Sequence, residues 1–199
     1  MKHLTLCADD FGLAPGIDAG ICALAEGGRL SAVSCMMSGR SIQESAGKLL
    51  EFSNTIDIGL HLTLTDHCPL TAANTLTREG HFFGQGALWR KALTGSLDLG
   101  DVEREISGQL DAFEKTFSSL PNFLDGHHHV HQIPSIREVV VRVVAERYAD
   151  KDFYIRTTAE EPLAVVKRGV SVAKALTMTL LGRSQELLAH EFGIRTNNG

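Results

Sequence analysis

The 199-residue sequence contains no apolar run that approaches the roughly 20 residues of a membrane span, so we expect no membrane partner. Residues 1–6 lead directly into the first motif and leave no room for a signal peptide, which predicts a cytoplasmic protein. Basic residues never form a run, and the net charge of −5 argues against a nucleic-acid partner, because phosphate binding requires a basic face.

Cysteine pairs with C-x-x-C spacing are also absent. The four cysteines, Cys7, Cys22, Cys35 and Cys68, lie among apolar or small residues, and in a cytosolic protein we expect them to be reduced and mostly buried. Cys7 is the cysteine nearest to the first motif. Because neighbouring residues of a strand point to opposite faces, its side chain is expected on the face opposite that of Ala8. The composition is that of a soluble globular protein, and no linker or repeat divides it, so residues 1–199 are predicted to form one domain.

The first half of the chain alternates strand and helix patterns. Apolar residues with a helical period end before Gly27-Gly28, and Ser41-x-x-Glu44 is a capping-box signature for a second helix. The elements predicted in this half are strand 3–8, helix 17–26, strand 30–37, helix 41–52 and strand 56–64. Such alternation favours parallel β/α units.

The second half begins with a less regular segment. Residues 66–97 are rich in Gly and Thr and are predicted to form a long loop on the substrate side. Asp101 is predicted to cap a long helix, and Ser135-x-x-Glu138 is a second capping box. The elements predicted after the loop are helix 101–117, strand 122–125, helix 135–148, strand 153–157, and helices 163–181 and 184–192.

Three separated segments carry metal-ligand residues where a strand should stop. They are residues 7–12, 58–62 and 125–131, which supply aspartate, histidine and a run of histidines respectively. Aspartate with two histidines suits zinc and other first-row metals, and three protein ligands leave a position open for water. A further carboxylate beside the ligand carboxylate supplies a general base. The combination makes a hydrolase the leading interpretation.

The individual residues carry different weight. Asp9 and Asp10 point to opposite sides of an extended segment, so the natural division is one ligand and one base, unless Gly12 permits a local bend. His61 lies in an apolar run where a histidine is more often a core residue, but Gly59 weakens that interpretation, because glycine in a strand often marks the close approach of a ligand or backbone.

The histidine run is the strongest single element. In an extended backbone His127, His129 and His131 share one face and His128 takes the other. Asp125, just upstream, is placed to orient an imidazole ring from outside the ligand set.

These motifs together resemble the YdjC-type carbohydrate deacetylases, which include the chitooligosaccharide deacetylases and hopanoid-associated members. The resemblance spans nearly the whole chain, and its A-D-D-F-G and D-x-H-x-H-V-H segments are specific in this order and separation. The matching segments are residues 8–13, 34–39, 59–62, 69–70, 125–131, 134 and 154–156.

The resemblance implies a fold and a site. The fold is α/β, a distorted seven-stranded (β/α) barrel of the polysaccharide-deacetylase type. One divalent metal ion, Mg²⁺ or Zn²⁺, is held by Asp10, His61 and His127, and Asp9 is the catalytic base. Arg156 matches a family arginine near the pocket.

One part of the family pattern is missing. Family members continue into further barrel strands and a Glu-x-x-x-His-Pro segment, whereas this sequence ends at residues 197–199 without any His-Pro. We therefore expect an incomplete barrel of about five strands, and a homodimer that covers its unpaired edges. His129 or His131 is then the candidate donor of a proton to the leaving amine.

The sequence predicts a metal-dependent hydrolase that removes an N-acetyl group from an amino sugar or a short N-acetylglucosamine oligosaccharide. Two alternatives stay open. The same ligands could serve a metal phosphoesterase, although few basic residues flank the motifs. The chain could also be a non-catalytic remnant that binds metal or sugar.

Overall fold

A six-stranded parallel sheet with helices between its strands forms the framework of the computed structural model, which describes residues 4–197. The strands and helices in chain order are β1 (Cys7–Phe11), α1 (Pro15–Glu26), β2 (Ala32–Cys35), α2 (Ile42–Leu50), β3 (Asp57–Leu62), β4 (Thr77–Arg78), β5 (His81–Phe82), α3 (Gln85–Leu93), α4 (Leu99–Phe117), β6 (Phe123–Gly126), α5 (Ile136–Tyr148), β7 (Tyr154–Ile155), α6 (Pro162–Arg168), α7 (Val172–Glu191) and β8 (Arg195–Thr196). Short 3₁₀ turns cover Asn74–Leu76 and His127–Gln132.

The sheet has the strand order β1-β2-β3-β6-β7-β8, and all of its pairings are parallel. The predicted α/β class with parallel units is confirmed. Within residues 4–197 the strands β1 and β8 do not pair with each other, so closure into a seven-stranded barrel stays a prediction. The sheet has one strand more than the five expected, because the two-residue β8 is too short to leave a sequence pattern. Parallel pairing brings the carboxyl ends of β1, β3, β6 and β7 to one edge.

Several predicted element boundaries were wrong. The first strand was predicted to begin at His3, which lies outside the described residues; the observed β1 begins at Cys7, where pairing with Ala32 starts. Ser41 and Ser135 form no side-chain cap hydrogen bond, so neither capping box is realised. The cap of α4 is Asp98, whose carboxylate accepts from the Gly100 backbone N–H at 2.8 Å.

Hydrogen bonds join the segment 66–97 to the first turns of α4. Asp101 is buried in the first turn of α4 and accepts from the backbone N–H of Thr75 at 2.8 Å. One turn later Glu105 accepts from the backbone N–H of Thr71 at 2.9 Å. The segment predicted as a loop is therefore fastened to α4, and it contains a 3₁₀ turn, the β4–β5 hairpin and α3.

Two helices were predicted, at 163–181 and 184–192, and two are observed, but the break between them was misplaced: it lies between α6 and α7 at residues 169–171, and α7 runs without interruption through residues 182–183. Its Gly182 packs against the backbone of residues 158–159, and a Cβ there would lie 2.5 Å from the Ala159 nitrogen. Glycine at this position marks a close helix contact rather than a break. Among the helices described, none combines the length and apolarity that a bilayer crossing demands.

Gly59, in the centre of β3, packs directly on an aromatic ring. A Cβ at this position would lie 2.6 Å from carbon atoms of the Phe123 ring on neighbouring β6. The sequence led us to expect that a ligand or another backbone lies close to Gly59. That expectation was wrong, because the close neighbour is a side chain. The glycine lets β3 and β6 bring their carboxyl ends into register, with His61 opposite Asp125.

We expect Gly59→Ala to lower the free energy of unfolding by about 1–3 kcal/mol, the usual cost of overpacking a filled core. Denaturant unfolding measures this directly. Gly47→Ala is the matched control, because a Cβ at Gly47 in α2 meets nothing within 4 Å and alanine favours a helix. Equal midpoints for Gly59→Ala and the wild type would contradict the packing described here.

Candidate metal centre

The end of β1 is bent at Asp10. The pairing of β1 with β2 shifts register between Ala8 and Phe11, and Asp10 has φ 65°, in the left-handed region. Such a backbone is uncommon outside glycine and concentrates at functional sites. The bend sends the neighbouring carboxylates of Asp9 and Asp10 to different partners.

Asp10 meets two imidazoles. Its Oδ1 lies 3.2 Å from Nε2 of His61, the fifth residue of β3, and 3.0 Å from Nδ1 of His127, which directly follows β6. One donor atom from each of the three residues lies within 4.8 Å of the others. The structure thus brings together the three residues that the resemblance assigned to a metal, and their role as ligands stays a prediction.

The electrostatics of the three residues suit a cation. Hydrogen bonds from His127 and His61 hold the pKa of Asp10 well below its usual range, against the opposing effect of burial. Burial lowers the pKa of His61, but the charge of Asp125 and hydrogen bonds with Asp10 and Asp125 outweigh it and raise the pKa to about 9. Positive charge is therefore favoured between these donors, and a carboxylate with two imidazoles fits one divalent ion.

Asp125 lies behind His61. This carboxylate is 1% exposed, and its Oδ1 accepts from His61 Nδ1 at 2.6 Å and from the Ser34 hydroxyl at 2.5 Å. Its Oδ2 lies 2.9 Å from a guanidinium nitrogen of Arg156. Burial works to raise the pKa of Asp125, but the His61 charge, the hydrogen bonds and Arg156 together lower it to about 2. The arrangement places Asp125 where the sequence suggested, as a carboxylate that orients an imidazole.

Asp9 is held by Arg156, which follows β7. Two guanidinium nitrogens each lie 2.8 Å from one Asp9 oxygen, a bidentate pair. Burial tends to lower the pKa of Arg156, but its bonds to Asp9 and the charge of Asp125 raise it further above its usual range. Asp9 is therefore a fixed, part-exposed carboxylate beside the three-residue group.

A second group of donor atoms lies close by. Cys7, Asp9 and Asp125 each offer an atom within 4.8 Å of the others, so Cys7 lies nearer to the site chemistry than its strand position suggested. Arg156 already contacts both carboxylates of this group. Burial raises the pKa of the Cys7 thiol, which keeps it protonated. This second group therefore binds the Arg156 guanidinium and is not described as a metal site.

The histidine run is not extended, and the prediction that His127, His129 and His131 share one face was wrong. Residues 127–132 form a 3₁₀ turn in which His128 and His129 have φ 53° and 56°. The ring of His128 lies against that of His127 with centroids 4.0 Å apart and a tilt of 34° between the ring planes, while His129 is half-buried. Two successive left-handed residues have no signature in the sequence.

His131 is buried on the far side of this turn. Its Nε2 donates to the Arg156 carbonyl at 2.8 Å, and burial lowers its pKa to about 4. A fully buried imidazole that is bonded to the backbone lies in a poor position to give a proton to a substrate, so the role of His131 as proton donor stays a prediction that this geometry does not favour. The bond holds the backbone of Arg156.

We expect His131→Gln to flatten the dependence of stability on pH. The unfolded histidine has a pKa of about 6.5, so it binds protons that the folded protein, with a value of about 4, does not. Stability from this group is complete above pH 6.5 and is lost as the pH falls towards 4, by something on the order of 3 kcal/mol. Urea unfolding at several pH values, with chelator present, compares the two proteins; parallel curves would contradict the assignment.

Sequence reasoning missed residues around the three-residue group. Ser34 lies in a buried apolar strand with no polar pattern to mark it, and only the register of β2, β3 and β6 shows that it faces Asp125. His67 lies with its ring centroid 6.1 Å from that of His127. Gln85, at the start of α3, donates to the His128 carbonyl at 3.2 Å. His67 and Gln85 form part of a polar rim beside the three-residue group. Both lie in the segment 66–97, whose irregular sequence pattern gave no indication of such a rim.

Curated proteins with sequences similar to this chain are named chitooligosaccharide deacetylases. A chitooligosaccharide deacetylase of Yersinia pestis (strain Pestoides F) is 34% identical over 146 residues, which is 73% of this chain and 57% of the relative, and one of Yersinia pseudotuberculosis serotype O:3 (strain YPIII) matches equally. The chain thus spans little more than half the length of these curated relatives.

The fold is also similar to a crystal structure of a candidate cellobiose-phosphate cleavage protein of Enterococcus faecalis V583, with a TM-score of 0.70 and 20% identity over 98% of this chain and 66% of that one. At this identity the likeness supports the fold alone. The family described as YdjC-like protein matches residues 3–198, which is nearly the whole sequence. The resemblance inferred from the motifs is confirmed: the chain belongs to the YdjC-like protein family.

Proposed function

We propose that this protein is a metal-dependent hydrolase that removes an N-acetyl group from an amino sugar or a short N-acetylglucosamine oligosaccharide. The observation that carries the proposal is the convergence of Asp10, His61 and His127 beside a separate, fixed carboxylate, Asp9. The substrate class comes from the relatives, which are named chitooligosaccharide deacetylases.

Asp10, His61 and His127 are the residues that would hold one divalent ion, with Zn²⁺ or Mg²⁺ as the candidates. A bound divalent ion supplies a Lewis acid for an amide carbonyl and lowers the pKa of a water molecule. The three side chains occupy the ends of different strands, so the site is rigid. The Asp10 side chain is 35% exposed, which leaves one side of the site open to substrate.

Asp9 is proposed as the general base. Its carboxylate accepts a proton from the attacking water, and the bidentate grip of Arg156 sets the direction in which its oxygens face. Arg156 in turn is fixed by Asp125 and by the backbone bond from His131. The leaving amine requires a proton, and His129, which is half-buried where His131 is fully buried, is the better placed of the two donors suggested from the sequence.

The rim is proposed to contact the sugar. His128 is part-exposed, with Nδ1 3.2 Å from the Thr65 hydroxyl and 3.5 Å from a carboxylate oxygen of Asp66. Asp66 has φ 63°, another left-handed residue beside the site. Polar groups that are oriented by each other and by backbone strain suit the recognition of hydroxyl groups.

The test is acetate release from N-acetylglucosamine oligomers of two to five units, with chelated protein as the negative control. We expect release only when Zn²⁺ or another divalent ion is restored. Phosphate release from simple esters without acetate release would favour a phosphoesterase. Metal binding without either product would favour a non-catalytic remnant.

The structure weakens the phosphoesterase alternative. Two-metal phosphoesterases place a second ion about 3.5–4 Å from the first. Here the adjacent group of Cys7, Asp9 and Asp125 is occupied by Arg156, whose two terminal nitrogens already contact the carboxylates of Asp9 and Asp125 rather than standing open to a phosphate. The homodimer and the cytoplasmic location inferred from the sequence stay predictions.

A further inference from the structure

Ser34 is a buried hydroxyl at the centre of the sheet. It lies in β2, has no exposed surface, and pairs in register with Gly59 of β3. Its hydroxyl donates to Asp125 Oδ1 at 2.5 Å and lies 3.2 Å from His61 Nδ1. A polar side chain in such a place is costly unless it forms strong hydrogen bonds.

The contact is not a default for buried serines in this chain. Ser41 is also almost fully buried, yet its hydroxyl has no hydrogen-bond partner among the described residues. Ser34, in contrast, donates to a charged acceptor at short distance, and such bonds are roughly twice as strong as neutral ones. Its position is therefore matched to the carboxylate of Asp125.

We propose that Ser34 is a positioning residue: through Asp125 it fixes the ring of His61 for the metal and, through Arg156, the carboxylate of Asp9. This inference rests on the metal site proposed above and goes beyond it, because Ser34 itself touches neither metal nor substrate.

The first link runs from Ser34 to His61. In the neutral ring that a metal ligand requires, His61 would keep its Nδ1–H on Asp125, so the lone pair would lie on Nε2, the atom that faces Asp10. The Ser34 hydroxyl supplies the second hydrogen to the same Asp125 oxygen. Two donors on Oδ1 fix the torsion of the carboxylate and so the plane of the imidazole.

The second link runs from Asp125 to Asp9. The other oxygen of Asp125 lies 2.9 Å from the Arg156 nitrogen that also bonds Asp9 Oδ2 at 2.8 Å. A rotation of the Asp125 carboxylate would therefore move a shared guanidinium. The orientations of His61 and Asp9 are coupled through this one buried carboxylate.

The test measures metal affinity rather than turnover. Co²⁺ is titrated into chelator-treated protein, and the dissociation constant and the visible absorption spectrum of the bound ion are recorded. We expect wild type to bind one Co²⁺ per chain and Ser34→Ala to bind about 10–100-fold more weakly, the usual effect of losing a partner outside the ligand set, with an altered spectrum.

Two variants separate the hydrogen bond from packing. Ser34→Ala leaves the packing almost unchanged and removes only the hydroxyl, whereas Ser34→Cys fills the site with a larger thiol that donates weakly, so it should bind Co²⁺ no more tightly than Ser34→Ala. Ser41→Ala removes a buried hydroxyl without a partner and should leave both readings at the wild-type values. Circular dichroism confirms that each variant is folded; should Ser34→Ala fail to fold, Ser34→Cys carries the comparison.

Arg156→Lys tests the second link. Lysine cannot bridge two carboxylates with a planar fork, so we expect a several-fold loss of Co²⁺ affinity although Arg156 is not in the proposed ligand set. Wild-type affinity and spectrum in Ser34→Cys would overturn the inference while the metal site stands. Failure of the wild type to bind Co²⁺ would overturn the metal site and the inference together.

Discussion

Replacing His61 or His127 with alanine is expected to lower the affinity for a divalent ion by at least about 100-fold. This exceeds the loss expected for a residue that only supports a ligand. Measurable acetate release should disappear as well. Each histidine supplies one of three converging donor atoms, and two donors do not hold an ion firmly. His127→Ala is the cleaner variant because its side chain is part-exposed and a truncation leaves Asp125 with its bonds intact.

His81→Ala is the matched control for both variants. His81 is an exposed histidine in the β4–β5 hairpin whose ring contacts the Glu79 carbonyl at 3.2 Å. We expect it to keep metal content and turnover at wild-type values. Metal content is measured by elemental analysis after dialysis. Full occupancy in His127→Ala would show that the ligand assignment is wrong.

Asp9→Asn is expected to retain the metal and to lose about 10²–10⁴-fold in turnover, the range for a positioned general base. An amide cannot accept the proton of the attacking water, while the three proposed ligands stay in place. The substitution also breaks the bidentate pair with Arg156. The first effect acts on the base alone. The second reaches the ligand His61 only through Arg156 and Asp125, so we expect at most a several-fold loss of metal affinity beside the much larger loss of turnover.

Asp111→Asn is a control that also breaks an aspartate–arginine pair. Asp111 bonds Arg147 at 2.6 Å on the surface of α4, and its loss should leave turnover unchanged. Loss of metal along with turnover in Asp9→Asn would make Asp9 a ligand, whereas unchanged turnover would remove it from the mechanism.

The order of strands and helices was readable from the sequence because local signals specify it. Helix α1 begins at Pro15 and ends before Gly27-Gly28, and β3 lies within the apolar run that predicted it. Element ends were less predictable. Strand β1 starts where a neighbouring strand begins to pair with it, at Cys7, and no local pattern encodes that position.

The candidate site was only partly readable. The positions of Asp10, His61 and His127 at strand ends followed from motifs, and parallel topology brings such ends together. The histidine turn did not follow, because the two successive left-handed residues, His128 and His129, leave no pattern in the sequence. Ser34 was hidden for a similar reason: its partner Asp125 is 91 residues away, and only sheet register brings them into contact.

We propose that one divalent ion, held by Asp10, His61 and His127, makes this protein a deacetylase. The most direct measurement is a titration of chelated protein with Zn²⁺ while acetate release from an N-acetylglucosamine oligomer is followed. Activity is expected to rise in proportion to added metal and to reach a plateau at one ion per chain. Acetate release that survives complete chelation, or that requires two ions per chain, would contradict this proposal.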